Sequence, residues 1–156
     1  MNIYLIRHGS AEAKPARGKD SDRNLTDEGK EEIKKTAINL KKLVPSIDFI
    51  ISSPLNRAVQ TAEIIKNEFD PDKEIILEEK LSPGSKTESL IDIANELEAE
   101  DIIFVGHEPD FSGHTSKLIS SSGIKIYFKR GAVVSIYFDR KVRLSAGILE
   151  FLIPPV

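Results

Sequence analysis

The sequence predicts a single α/β domain over residues 1–156. We expect three layers, with helices on both faces of a mainly parallel sheet and a β-hairpin at the C-terminal end. Two observations predict this fold. Short apolar segments alternate with amphipathic helical patterns, which is typical of a buried parallel sheet. The 156 residues are 40% hydrophobic and 30% charged, which suits one packed core and excludes a disordered chain.

The first half of the chain alternates three predicted strands with two predicted helices. Thr26 is a suitable N-cap for the first helix, whose apolar residues recur at helical spacing as far as Val44. The second helix is expected to begin with Ser53 as its cap and Pro54 in its first turn. Residues 11–25 between the first strand and the first helix have no periodicity and are predicted to form a polar loop. The predicted strands are Ile3–Ile6, Asp48–Ile51 and Ile75–Leu77.

The second half continues the alternation and ends in β structure. A helix is predicted over Glu88–Leu97, and a further helix, capped by Asp110, runs to about Ser121. The chain is predicted to close with a hairpin, and the terminal run Ile148–Val156 is interpreted as an edge strand and tail. The predicted strands of this half are Ile102–Val105, Ala132–Phe138 and Val142–Leu149, with Asp139–Lys141 as the hairpin turn.

Charge and composition exclude several classes of function. Twenty-two basic and 25 acidic residues give a net charge of −3, so the overall field does not recruit nucleic acid or an anionic membrane. The absence of cysteine excludes disulfides, thiolate zinc sites and a cysteine nucleophile. The apolar run before Arg7, Ile3–Ile6, has only four residues, fewer than the roughly 7–15 of a signal peptide, so we expect a cytoplasmic protein. We also expect it to be a monomer.

Basic and imidazole side chains follow three of the predicted parallel strands. Arg7 and His8 come directly after the first strand, Arg57 lies in the helix turn after the second, and His107 follows the fourth. Ligands of open parallel sheets bind beyond the carboxyl ends of the strands. Two of the chain's three histidines and two of its seven arginines therefore predict an anion site at this edge of the sheet.

Four motifs, in this order, resemble the histidine phosphatase superfamily, also called phosphoglycerate-mutase-like. The resemblance covers residues 3 to about 120, and the third motif, on the predicted second helix, is the most specific. Three segments are similar to SixA-type phosphohistidine phosphatases in particular: Leu81-Ser82-Pro83-Gly84, Arg23 with Leu25-Thr26, and Gly106-His107-Glu108-Pro109-Asp110. The motifs are Arg7-His8-Gly9, Leu25-Thr26 with Gly29, the block from Ser53 to Ala62 that reads SPLNRAVQTA, and Gly106-His107-Glu108-Pro109.

The resemblance implies that His8 attacks phosphorus and becomes phosphorylated, while other residues of the motifs hold the phosphoryl group. Guanidinium groups match phosphate oxygens, and nearby arginines keep an imidazole neutral and nucleophilic. No metal and no cofactor are implied. The implied substrate is a phosphorylated protein, such as a histidine-containing phosphotransfer domain. Arg7, Arg57 and His107 are the implied catalytic partners of His8, and Arg23, Gly9 and Gly106 are the implied substrate-binding residues.

The sequence departs from the family pattern at the proton donor. Many members carry a glutamate about two residues after the leucine that matches Leu81, and Pro83 stands there in this chain. Glu78, Glu79 and Glu108 remain as candidates by position. The missing acid favours a phosphohistidine substrate, because a protonated ring leaves as neutral imidazole, unlike an alkoxide. Only about 50 residues separate Arg57 from His107, too few for the lid domain of larger members.

Other interpretations remain open at this level. One is a phosphatase of the same superfamily that acts on a small metabolite, and another is a phosphate-binding module without activity. A metal site of three histidines is disfavoured, because no ligand spacing links them and the arginines repel a cation. His114 is interpreted as structural or exposed. Lys14, Arg17 and Lys19 in the polar loop either steer an acidic partner or are simply solvated.

Overall fold

The computed structural model describes residues 1–156 and contains six strands, four α-helices and two short 3₁₀ turns. None of the helices is long and apolar enough to cross a membrane. The 3₁₀ turns are Asp20–Asp22 and Glu79–Leu81. In chain order the other elements are β1 (Asn2–Arg7), α1 (Asp27–Leu43), β2 (Phe49–Ser52), α2 (Asn56–Phe69), β3 (Ile75–Leu77), α3 (Thr87–Glu96), β4 (Asp101–Gly106), α4 (Asp110–Ile119), β5 (Val133–Tyr137) and β6 (Ile148–Ile153).

The strands form one sheet in the order β3-β2-β4-β1-β5-β6. The first four strands run parallel to one another, β5 runs antiparallel to β1, and β6 runs antiparallel to β5, which confirms the mainly parallel sheet. β4 returns to lie between β2 and β1, and its register sets Gly106 opposite Arg7. The residues that follow, His107 and His8, therefore leave the sheet side by side at its carboxyl edge.

Helices cover both faces of the sheet, as the sequence predicts. Alternate residues of β1 point to opposite faces, as in any strand. Ile3 and Leu5 are buried in one core with residues of α3 and α4. Tyr4 and Ile6 are buried in the other core with residues of α1 and α2. The fold is therefore the three-layer α/β arrangement that the alternating pattern indicates.

Two helices start differently from the sequence prediction. α2 begins at Asn56, because Ser53 still continues the sheet: its N–H donates to the carbonyl of Val105 at 3.0 Å. Asp110 lies in the first turn of α4, and Pro109 occupies the N-cap position. The carboxylate of Asp110 accepts hydrogen bonds from the turn at residues 84–85 instead of capping its own helix. Thr26, by contrast, is confirmed as the N-cap of α1.

The C-terminal hairpin is present, but the predicted strand over Val142–Leu149 and the turn at Asp139–Lys141 are wrong. β5 pairs instead with β6, across a connection of residues 138–147. Val142 is buried like a strand residue, but its backbone N–H and carbonyl are bonded at 2.9 and 3.0 Å to the side chain of Asn95. The apolar pattern around Val142 thus marks a pinned loop, while the edge strand and tail predicted over Ile148–Val156 are confirmed.

Candidate active site

A cavity of about 250 Å³ opens at the carboxyl edge of the sheet. It contains all five of the side chains that the sequence predicts to bind or attack phosphate. Four arginines and two carboxylates line it, which gives a formal charge of +2 when the histidines are neutral. That charge complements a phosphoryl dianion. The lining residues are Arg7, His8, Ala11, Asp20, Arg23, Arg57, Pro83, His107, Glu108 and Arg130.

The backbone fixes the His8 ring in one tautomer. Nδ1 lies 2.8 Å from the carbonyl oxygen of Gly9, and a carbonyl can only accept a hydrogen bond, so Nδ1 carries the proton. Nε2 then bears the lone pair. Its neighbour is Arg57, whose Nε donates to it at 3.3 Å. The side chain of His8 is thus oriented with a nucleophilic nitrogen beside a guanidinium group.

Both histidines of the cavity are neutral at pH 7. Burial lowers the pKa of His8 to about 4, and the positive charges of Arg57, Arg7 and Arg23 act in the same direction. Burial lowers the pKa of His107 to about 3, with His8 and Arg57 adding to the effect. The rings lie with their centroids 5.2 Å apart. A neutral imidazole has a lone pair available for attack on phosphorus, which a protonated ring lacks.

Asp20 ties together two of the arginines and was not predicted. Arg57 donates from Nη2 to Asp20 Oδ2 and from Nη1 to the Asp20 carbonyl, both at 2.9 Å. Arg23 donates from Nη1 to Asp20 Oδ1 at 3.0 Å. The hydrogen bonds from Arg23 and Arg57 lower the pKa of Asp20, although burial opposes them. The ionised carboxylate therefore occupies guanidinium donors that a phosphate also needs.

Residues of the second-helix motif hold the loop that carries Asp20 and Arg23. The side-chain oxygen of Asn24 accepts hydrogen bonds from Asn56 Nδ2 at 3.2 Å and from Gln60 Nε2 at 3.1 Å. The oxygen of Gln60 accepts from the N–H of Leu25 at 2.7 Å. These bonds explain why the motif contains Gln60, since α2 uses it to position a loop that the sequence describes only as polar.

The structure does not bring Gly9 and Gly106 to the wall of the cavity. The N–H of Gly9 donates to Thr61 Oγ1 at 3.2 Å. A Cβ on Gly9 would lie 2.7 Å from the carbonyl oxygen of Gly29, and a Cβ on Gly106 would lie 2.5 Å from Cζ of Phe111. Both contacts are shorter than packed carbon atoms tolerate. The two glycines thus allow helices to approach the ends of β1 and β4.

Arg7 and His107 each keep a buried nitrogen without a hydrogen-bond partner. Arg7 donates from Nη1 to the carbonyl of Phe128 at 2.8 Å, but its Nε has no partner. His107 Nε2 lies 2.7 Å from Ser53 Oγ, and its Nδ1 has no partner. Ser53 Oγ accepts from the N–H of Leu55 and has one proton of its own to donate; in the tautomer in which that proton goes to His107 Nε2, Nδ1 carries the ring proton and can donate to an anion. Buried polar groups are almost always bonded, so both nitrogens suit an anionic ligand.

One of the three candidate proton donors reaches the cavity. Glu108 lies on its wall, but Ser112 donates to both carboxylate oxygens, from its N–H at 2.7 Å and from its Oγ at 2.8 Å. Glu78 is outside the cavity and accepts from the N–H of Lys80. Glu79 is also outside. Pro83, which stands at the position of the family glutamate, lines the cavity.

The remaining residues singled out by the sequence lie outside the cavity. His114 is buried, and its Nε2 and Nδ1 are each 2.8 Å from a hydroxyl, that of Ser85 and that of Thr87 respectively. Burial lowers its pKa to about 4. The structural interpretation of His114 is therefore confirmed. Lys14, Arg17 and Lys19 are exposed.

Comparison with known proteins identifies a matching family and two similar sequences. Residues 3–83 match the family described as the histidine phosphatase superfamily (branch 1). An uncharacterized protein of Picosynechococcus sp. is 30% identical over 142 residues, which are 87% of this chain and 84% of that protein. The mitochondrial serine/threonine-protein phosphatase Pgam5 of Drosophila grimshawi is 42% identical over 72 residues. These are 46% of this chain, and the chain spans only 24% of that relative.

A solved structure shares the complete fold. The protein histidine phosphatase SixA, determined in complex with tungstate, superposes with a TM-score of 0.88. The superposition covers 99% of this chain and 97% of SixA, and the two sequences are 23% identical. At this identity the likeness establishes a common fold, without an inserted domain in either chain.

Proposed function

Since this chain belongs to the histidine phosphatase superfamily and is a phosphatase, we propose that it removes phosphate from protein phosphohistidine through a covalent phosphohistidine on His8. The observation that carries the proposal is the state of His8. Its Nδ1 proton is held by the Gly9 carbonyl, which leaves the Nε2 lone pair in a cavity with a formal charge of +2. That arrangement suits attack on a phosphoryl group.

In the first step, the lone pair of His8 Nε2 forms a bond to phosphorus. The phosphorus–nitrogen bond of the substrate breaks and its electron pair returns to the substrate ring, which carries a proton on its other nitrogen and so leaves as neutral imidazole. Arg57, which contacts Nε2, is placed to donate hydrogen bonds to the phosphoryl oxygens as the phosphoryl group moves to His8. Charge that spreads over the equatorial oxygens is stabilised by fixed guanidinium donors, which need no reorganisation at the moment of reaction.

In the second step, water attacks the phosphorus of phosphorylated His8. Both protons of the water end on the released orthophosphate, Nδ1 of His8 keeps its own proton, and the bond electrons return to Nε2 as a lone pair. The leaving group is again an imidazole, now that of His8 itself. Neither step expels an alkoxide, so neither requires the glutamate that Pro83 replaces. The absence of that acid supports a phosphohistidine substrate over a phosphate ester.

Arg7 and His107 would supply the remaining contacts to the phosphoryl oxygens. Arg7 Nε and His107 Nδ1 are buried and have no partner within the protein. A phosphoryl oxygen beside them would satisfy both and would gain charge-assisted hydrogen bonds from Arg7. Arg23 would contact the phosphoryl group through Nη2, since its Nε donates to the Glu12 carbonyl and its Nη1 to Asp20.

The size of the substrate is the next element of the proposal. The chain between Arg57 and His107 is used by the rest of α2, by β3, by the 3₁₀ turn at Glu79–Leu81, by α3 and by β4, and it adds no lid domain. A cavity without a lid admits a phosphate displayed on a protein surface. We therefore propose a phosphorylated signalling protein of the cytoplasm, such as a histidine-containing phosphotransfer domain, as the substrate.

The test is hydrolysis of a phosphorylated histidine-containing phosphotransfer domain, measured beside p-nitrophenyl phosphate. Wild type is compared with His8→Ala and with Arg140→Ala, which replaces an exposed arginine outside the cavity. We expect wild type and Arg140→Ala to dephosphorylate the phosphohistidine protein, and His8→Ala to leave it phosphorylated. In wild type this rate should greatly exceed the rate of ester hydrolysis. Rapid ester turnover with an unchanged phosphoprotein would indicate a metabolite phosphatase. Inactivity on both would indicate a phosphate-binding module.

A further inference from the structure

A second cavity of about 500 Å³ adjoins the proposed active site. We call it the basic groove, and its walls include Arg7, Ser10, Glu32, Tyr127, Lys129 and Arg130. Arg7 and Arg130 also line the smaller cavity that contains His8. The two cavities therefore share a wall, and a substrate bound at His8 extends naturally into the groove.

The basic groove has an excess of positive charge on a protein whose net charge is −3. Arg7, Lys129 and Arg130 line it, and the ion pairs of the structure involve none of the three. The carboxylate in the groove is Glu32, and both of its oxygens accept hydrogen bonds at 3.1 Å from the N–H and hydroxyl of Ser10. The three cations are thus available to an external anion.

The segment that carries Lys129 and Arg130 is fixed in place although it lies outside the helices and strands. The Phe128 carbonyl accepts from Arg7 Nη1 at 2.8 Å. The N–H of Gly131 donates to the Arg7 carbonyl at 3.0 Å, and the Gly131 carbonyl accepts from Thr36 Oγ1 at 2.7 Å. Gly131 has a φ of 71°, which favours glycine. A binding surface held in this way loses little conformational freedom when a partner binds.

An aromatic side chain stands beside these cations. Tyr127 is 80% exposed, and Lys129 Nζ lies 5.9 Å from the centroid of its ring. Tyrosine and arginine are enriched among the residues that contribute most to protein interfaces, where an exposed aromatic ring packs on the partner chain. The combination of Tyr127 with Lys129 and Arg130 therefore resembles a docking surface for a polypeptide with negative charge.

We propose that the basic groove binds an acidic segment of the phosphorylated protein. In this complex, carboxylate side chains near the phosphohistidine pair with Lys129 and Arg130, and Tyr127 packs against the bound chain. Arg130 lines both cavities, so the acidic segment and the phosphoryl group belong to one substrate. The inference rests on the proposed function and adds the selection of the substrate to it. Complementary charge raises association rates and excludes partners of like charge.

The test uses two synthetic phosphohistidine peptides and free phosphohistidine. One peptide carries glutamates on both sides of the phosphohistidine, and the other carries glutamine at the same positions. Each is assayed with wild type, with Lys129→Glu and with Lys141→Glu. Lys129 lines only the basic groove, whereas Lys141 is exposed beside a different cavity and makes the same change of charge.

We expect wild type and Lys141→Glu to hydrolyse the acidic peptide with a kcat/KM about tenfold above that of the glutamine peptide. Lys129→Glu should abolish or reverse this preference and leave hydrolysis of free phosphohistidine unchanged. Equal rates on the two peptides, or the same loss in both variants, would overturn the docking proposal while the proposed function stands. If wild type hydrolyses p-nitrophenyl phosphate, assayed in parallel, but none of the three phosphohistidine compounds, the proposed function fails and the docking proposal fails with it.

Discussion

Arg57 connects His8 to Asp20. Its Nε lies 3.3 Å from His8 Nε2, and its Nη2 lies 2.9 Å from Asp20 Oδ2. The guanidinium is nearly buried, with 6% of its side chain exposed, so the two contacts fix its orientation. Asp20 thus aims Arg57 at the nucleophile and also competes for the same donors that bind phosphate. Several expected outcomes depend on this relationship.

Replacement of Arg57 by lysine should reduce kcat/KM on a phosphohistidine substrate by about 10²–10³, the usual cost of removing one preorganised donor. Lysine keeps the positive charge but cannot donate in three directions from a planar group. Steady-state kinetics checks the prediction, with Arg140→Lys as the matched control on the surface. A variant Arg57→Lys that retains most of the wild-type rate would show that charge alone is sufficient.

Replacement of Asp20 by asparagine should strengthen the binding of orthophosphate. The change removes the negative charge that Arg57 and Arg23 now contact, and the phosphate no longer has to displace it. We expect the inhibition constant of phosphate to fall several-fold while the fold is unaffected, because Asp20 is partly exposed. Competitive inhibition by phosphate or vanadate measures it. Weaker inhibition in Asp20→Asn would mean that Asp20 serves only to position the arginines.

None of the three histidines should titrate near its ordinary pKa of about 6.5. Burial lowers the pKa of His8 and of His114 to about 4 and that of His107 to about 3. Because the chain has only three histidines, an NMR titration of the phosphate-free protein resolves each ring. The three signals should stay constant between about pH 6 and about pH 8. A His8 signal with a midpoint near 6.5 would contradict the described environment.

These pKa values also predict how the free energy of unfolding depends on pH. Each histidine is neutral in the folded protein but binds a proton in the unfolded chain below about pH 6.5. The unfolded state therefore binds more protons between about pH 6.5 and about pH 4, and stability falls as the pH is lowered through this window. The slope is about 1.4 kcal/mol per pH unit for each histidine. Urea unfolding at several pH values measures this dependence. A free energy of unfolding that stays constant between about pH 6.5 and about pH 5 would contradict the prediction.

Two helical glycines should respond in opposite ways to replacement by alanine. A Cβ on Gly29 would lie 2.0 Å from the carbonyl oxygen of Ser10, whereas a Cβ on Gly113 has no atom within 4 Å. Gly29→Ala should therefore destabilise the protein by about 1–3 kcal/mol or more, as expected for overpacking. Gly113→Ala should stabilise α4 by up to about 1 kcal/mol. Thermal or urea unfolding gives the change in the free energy of unfolding for each variant. Equal changes in the two variants would contradict the close contact between Gly29 of α1 and the Ser10 carbonyl.

The elements that bring the site together could be predicted from the sequence. Apolar runs that end in Arg7-His8 and Gly106-His107 place these residues at strand ends, and parallel strands end at one edge of a sheet. The register that sets Arg7 opposite Gly106 then brings the two histidines within contact of each other. Local pattern and general topology were sufficient here, because each residue is fixed by the strand that precedes it.

Other parts could not be predicted, because they depend on contacts between distant segments. Asp20 lies in a loop without periodicity, and its partner Arg57 is 37 residues away along the chain. Arg130 reaches the cavity on a coil that Arg7 and Gly131 fix to the end of β1. Val142 has the apolar pattern of a strand, yet Asn95 satisfies its backbone in a loop. In each case a side chain from elsewhere decides the conformation.

The central claim is that His8 carries the phosphoryl group during turnover. The most direct measurement mixes the protein with a phosphohistidine peptide, quenches the reaction in alkali, where phosphohistidine is stable, and maps the phosphorylated residue by mass spectrometry. We expect one phosphoryl group on the peptide that contains His8, and none in His8→Ala. Continued turnover without a phosphorylated protein, or a phosphoryl group on His107 or His114 instead, would contradict the proposed mechanism.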